Sequence, residues 1–248
     1  MIQYILVACI AFLAYLVKGL TGFGPAIVFI SLGSLVMNPI QVVGVSPLLD
    51  IVAGSILIWK DRSYKDASYW LTLSVPLLAG VMAGSIGLRF ATADLYQRIL
   101  GGAVFILGAW FLFRSNPEKG NDGDRLLKSL PTKPAKAAMI IAVFSGISGG
   151  LFGISGPPLI YYFGTRFQRQ AFRKAIVPLF LVEASGRSLT YVSLGMMRTP
   201  ELTLAVILVP FLLAGLAVGN HWFNLIPQSK FERVIGVILI VSGAKLIF

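Results

Sequence analysis

Four ionisable side chains interrupt the apolar stretches of this chain: Lys18, Asp50, Glu183 and Arg187. A charge at membrane depth is costly, and residues that keep one there are as a rule functional or paired. Glu183 and Arg187 stand four residues apart, so a helix puts them on one face. They are expected to pair, either as a coupling group or as a purely structural ion pair. Asp50 has no partner nearby in sequence, which leaves it as a proton carrier or as a partner of Lys18 or Arg187. Lys18 either lends a full positive charge to an anion or snorkels to an interface.

Lys18 also opens the first of two glycine-rich stretches. Residues 18–25 read KGLTGFGP and residues 145–158 read SGISGGLFGISGPP. Glycine admits left-handed backbone, and proline at the first helical position sacrifices no hydrogen bond. Each stretch is therefore expected to unwind and to launch a new helix at Pro25 or Pro157, with Thr21 and Ser155 as N-caps. A helix N-terminus presents unpaired amides and partial positive charge, which suits an anion. Unwound backbone at membrane depth is tolerated only where it is buried in protein or lines a cavity. The expected binding set is Lys18, Thr21, Gly22, Gly24, Ser148, Gly153, Ser155 and Gly156. The competing reading of the same glycines is a tight helix crossing or a kink.

The elements that position these groups are apolar helices. Hydrophobic residues make up 56% of the 248, charged residues only 12%, and mean hydropathy is +0.83. A soluble chain carries roughly 25% charged residues, so this is an all-α integral membrane protein with one membrane domain. The net charge of +11 resides in loops between apolar runs, which points to membrane orientation rather than to nucleic acid. Predicted segments fall at 2–17, 25–37, 40–59, 69–88 and 95–113, then at 135–148, 157–164, 175–194, 202–222 and 231–248. The polar stretch 114–134 is a solvated linker between two repeats, 1–113 and 135–248.

The duplication is visible in matched blocks. Residues 96–113 (YQRILGGAVFILGAWFLF) and 231–248 (FERVIGVILIVSGAKLIF) align without gaps, with Arg98 on Arg233 and Gly108 on Gly243. Pro47 pairs with Pro178, Pro76 with Pro210, and the two glycine-rich stretches with each other. Basic clusters at 60–65, 114–136 and 166–174 are placed in the cytoplasm. Both termini then lie outside and the halves are inverted, the plan of many secondary transporters, whose site lies between repeats. The first two segments of each half are short for a span, so the count is eight to ten helices.

Other chemistries have less support. Residues 146–150 fit G-x-S-x-G, and with the single histidine, His221, they allow an intramembrane serine protease using Ser148. A passive anion channel is a further alternative. His221 is otherwise a structural hydrogen-bonder, and Cys9 is apolar filler. No motif for a metal, nucleotide or other cofactor is present. The implied partners are a small anion, with or without coupled protons, and the lipid bilayer.

The two glycine-rich breaks and the duplicated, roughly 250-residue plan resemble the TauE/SafE-like sulfite exporter family over nearly the whole chain. That resemblance implies export of sulfite, sulfoacetate or related organosulfonates across the inner membrane by a protein of eight helices. A compact oxyanion also suits helix N-termini with Ser and Thr hydroxyls as added donors.

Overall fold

The computed structural model describes residues 2–21, 24–60, 67–90, 92–113, 134–164, 166–167, 169–222 and 228–247. Ten helices form among them: α1 (Ile2–Thr21), α2 (Pro25–Gly33), α3 (Pro39–Lys60), α4 (Ala67–Arg89), α5 (Ala93–Phe113), α6 (Lys136–Phe152), α7 (Gly156–Gly164), α8 (Arg169–Ser193), α9 (Thr199–Trp222) and α10 (Gln228–Ile247). Every predicted apolar run becomes a helix. The chief differences lie in the glycine-rich stretches, where α1 continues to Thr21 and α6 to Phe152 instead of unwinding. All of the expected linker except Pro134 lies outside the described residues.

Lengths settle which helices can cross lipid. Spans at Ile2–Leu20, Pro39–Trp59, Tyr69–Arg89 and Thr199–Trp222 are long and apolar enough. Helices α2 and α7 have nine residues each, a length of about 14 Å against a hydrocarbon core of about 30 Å. Eight long helices and two short ones thus reconcile the ten predicted segments with the eight helices that the resemblance implies.

Glycine decides how the long helices meet. Glycine inside a helix costs roughly 0.5–1 kcal/mol relative to alanine, but in lipid it lets two backbones touch. Gly80 and Gly84 of α4 face Gly146 and Gly150 of α6 in this way: a Cβ on Gly150 would strike the Val81 carbonyl and lie 2.6 Å from the Ser85 nitrogen. Gly215 and Gly219 of α9 bear on the Phe12 and Leu16 backbone of α1, and Gly19 returns the contact at Leu216 and Asn220. Gly101 of α5 and Gly243 of α10 form the third seam. These are the three most extensive helix pairs among the described residues. Several glycines of the two glycine-rich stretches therefore pack helices, as the competing reading anticipated.

Three further contacts come in matched pairs when the first five helices are exchanged for the last five. α3 on α9 answers α8 on α4, α1 on α2 answers α6 on α7, and α2 on α3 answers α7 on α8. Helix α3 also packs on α8 and is the most enclosed of the four spans. Pro47 within α3 removes a bond to the Val43 carbonyl, and the Ser46 hydroxyl donates to that oxygen at 3.1 Å. The outer faces expose Val75, Ile106, Phe144 and Val206, an apolar belt suited to lipid.

Gly150→Val is expected to lower the melting temperature of detergent-solubilised protein by about 5 °C or more, from overpacking of about 2–3 kcal/mol at about 2–4 °C per kcal/mol. Gly102→Ala, at a position inside α5 with nothing within 4 Å of the added carbon, is expected to raise it slightly, by about 1–4 °C.

Candidate substrate site at the two helix breaks

Each break is short and turns on a left-handed glycine. Gly24 (φ 81°, ψ 7°) launches α2, and Gly153 (φ 72°, ψ 9°) ends α6 with its N–H donating to the Gly149 carbonyl at 2.8 Å. At Gly153 glycine is required on a second count. A Cβ there would strike the Ile30 side chain and lie 2.6 Å from Nη1 of Arg187. Pro25 takes the first position of α2, as expected, and α7 begins at Gly156, just ahead of Pro157.

The cap predicted at Thr21 is not realised, whereas Ser155 stands at the predicted position immediately before α7. Gly24 is the N-cap of α2 and no side chain caps it, because α1 absorbs Thr21 as its last residue. Ala26 and Ile27 thus keep amides that have no partner within their helix. The end of α7 is poorer in donors, since Pro157 and Pro158 have no N–H and only Gly156 keeps one among its first three residues. Ser155 precedes α7, and its carbonyl accepts a hydrogen bond from the Ser145 hydroxyl.

Both breaks face one pocket. It holds about 330 Å³ of empty space, mouth included, and is lined by residues 24–27 and 153–156 together with Lys18, Asp50, Phe180 and Glu183. Phe180 was not anticipated; an aromatic in an apolar helix carries no sequence signal that separates it from lipid-facing filler.

A chain of four charges runs beside the pocket. The Lys18 ammonium donates to Asp50 Oδ1 at 3.1 Å and to the Asp50 carbonyl at 3.3 Å. Tyr15 donates its hydroxyl to the same Oδ1 at 3.1 Å, and Arg187 Nη2 reaches Oδ2 at 3.4 Å. Arg187 Nε lies 3.4 Å from Glu183 Oε1, but neither atom makes a hydrogen bond among the described residues. Side-chain exposure is 3% for Lys18, 8% for Asp50, 3% for Glu183 and 0% for Arg187, so Lys18 does not snorkel. Asp50 pairs with both of the cations proposed for it.

Of the expected binding set, Lys18, Gly24, Gly153, Ser155 and Gly156 border the pocket. Ser148 does not; it is half-buried on α6 and donates to the Ser145 carbonyl at 3.0 Å. Gly22 and the side chain of Thr21 lie outside the described residues. Gly149, which aligns with Lys18 in the duplication, clears space for a neighbour: a Cβ there would sit 2.6 Å from Glu183 Oε1.

With this geometry in view, comparison with known proteins is decisive. The family model "Sulfite exporter TauE/SafE" matches residues 7–246. The chain belongs to the TauE/SafE sulfite exporter family. A relative from Cupriavidus necator, "Probable sulfite/organosulfonate exporter TauE", is 25% identical over 239 residues, covering 91% of this chain and 86% of that protein. No solved structure matches. The protein is accordingly a multi-pass cell-membrane transporter and not an enzyme. The serine protease reading falls with that assignment; Ser148 is engaged within its own helix and His221 is exposed at the end of α9.

Asp50→Ala is expected to be the most damaging single change at the site, because it leaves Lys18 and Arg187 buried without their shared anion. Removing one partner of a buried ion pair costs about 3–5 kcal/mol. Loss of the monodisperse peak in detergent chromatography, or a much lower melting temperature, checks this.

Proposed function

We propose that this chain is a secondary transporter that carries a small sulfur oxyanion or organosulfonate, such as sulfite or sulfoacetate, outward across the cytoplasmic membrane. Its site is the pocket between the two breaks, built by two inverted repeats, residues 1–113 and 135–248. The observation that carries this reading is the convergence of both short-helix N-termini on one pocket beside the Lys18 ammonium.

The chemistry follows from the charges. Lys18, Asp50, Glu183 and Arg187 cancel formally, so the surplus field in the pocket comes from the helix ends, each equivalent to roughly half a positive charge. Two hydrogens of the Lys18 ammonium are used by Asp50, which among the described residues leaves one for an anion. The α2 end supplies amides that need no reorganisation, so the oxyanion binds there in preference to the proline-blocked α7 end. The name of the Cupriavidus necator relative pairs sulfite with organosulfonates.

Proteoliposome uptake against a panel of sulfite, sulfoacetate, thiosulfate and simple carboxylates tests the substrate class. Saturable flux that rises with substrate on the opposite face is expected; non-saturable flux indicates a channel instead. Lys18→Gln is expected to weaken anion binding by about tenfold or more, the worth of a hydrogen bond to a charged group. Unchanged affinity in calorimetry removes Lys18 from the site. Tags on both termini are expected to be reached from outside intact cells, and a cytoplasmic C-terminus contradicts the inverted arrangement.

A further inference from the structure

The two carboxylates at the pocket are held very differently. Asp50 is engaged at both oxygens, by Tyr15 and Lys18 on Oδ1 and by Arg187 on Oδ2. Glu183 is as deeply buried and lines the same pocket, yet its Oε1 makes no hydrogen bond among the described residues and meets only the Arg187 Nε at 3.4 Å. The missing side chain of Gly149 makes room for that oxygen.

The charged groups around Glu183 are few. They are Arg187 on its own helix, Asp50 from α3 and Lys18 from α1. Helices α4 and α6, also packed on α8, carry charge only at their ends, at Arg89 and Lys136, and α7 carries none. Tyr191 of α8 is committed to the Gly150 carbonyl at 2.8 Å. The tyrosines of α4 and α7 sit in aromatic contacts, Tyr69 and Tyr162 on Phe163 and Tyr161 on Trp110.

We propose that Glu183, rather than Asp50, takes up a proton when the anion binds, so that anion and proton occupy the pocket and cross together. The inference rests on the pocket being the anion site. With all four side chains ionised the cluster is neutral, and an arriving monoanion makes it net negative with Glu183 facing the newcomer. A proton on Glu183 restores neutrality and converts an acceptor into an O–H donor toward the anion. A proton on Asp50 would instead leave Lys18 and Arg187 without the carboxylate they share. The proton comes from water at the pocket mouth and leaves with the anion on the far side. Transport of a monoanion is then electroneutral, and net flux follows the product of anion and proton concentrations on each side.

The test uses the purified full-length protein with methanesulfonate and sulfoacetate, whose charges are constant between about pH 6 and 8.5. Calorimetry in buffers of different ionisation enthalpy counts protons taken up per anion. Wild type is expected to take up close to one proton, with affinity rising by up to about tenfold per pH unit of acidification. Glu183→Gln, which mimics the protonated form, is expected to bind with no proton uptake and no pH dependence. Glu183→Met is a second variant with the same expected loss of uptake. Anion binding by wild type without proton uptake overturns the proposal and leaves the site standing, as does uptake that persists in either variant. Failure of wild type to bind these anions and sulfite removes the site, and the proposal with it.

Discussion

Asp50 is the joint on which the interior turns. A lone carboxylate in lipid is untenable, and so are a lone ammonium and a lone guanidinium. Bringing Lys18 from α1 to 3.1 Å and Arg187 from α8 to 3.4 Å from the Asp50 carboxylate of α3 gives each of the three charges an opposite partner. That requirement ties together three helices far apart in sequence. It also fixes where α1 can stop, because Lys18 must still reach Asp50 before the chain turns toward α2. The pocket exists at this depth because the charges hold its walls there.

Glycine supplies what the charges cannot, which is closeness. Along α4, α6 and α9 it allows backbones to touch; at Gly24 and Gly153 it permits a left-handed turn; at Gly149 it makes room for the Glu183 carboxylate. Three physical demands thus fall on one residue type within a few turns of α6. Gly146 and Gly150 face α4, while Gly149 faces Glu183 and the Ser155 side chain. A helix with these glycines on two faces can be gripped from one side while its other side borders a pocket.

Much of this was legible beforehand. The ten segments follow from long apolar runs, the turns from glycine next to proline, and the pairing of Glu183 with Arg187 from a four-residue spacing. The extent of unwinding was not legible, since Gly19, Gly146 and Gly150 look equally suited to a loop and to a helix seam. Only the partner helix decides, and sequence does not say which helix faces which. The N-cap expected at Thr21 failed for the same local reason, as one further helical turn was worth more than a side-chain cap. Phe180 and the role of Gly149 emerge only when α8 is laid beside the breaks. The amide shortage at Pro157 and Pro158 was available from the sequence all along, because two consecutive prolines remove two donors wherever they fall.

The three glycine seams have a mechanical consequence. Each joins a helix from before the 114–133 stretch to one from after it: α1 with α9, α4 with α6, α5 with α10. At these glycines backbone meets backbone with few side chains to slide or repack, so each seam acts as a welded strut. Swinging one end of the chain as a block against the other would shear all three struts together. Motion that spares these struts falls to parts free of them, chiefly the stubby α2 and α7 and their turns at Gly24 and Gly153. Order along the polypeptide and order of moving parts are therefore different partitions of the same molecule.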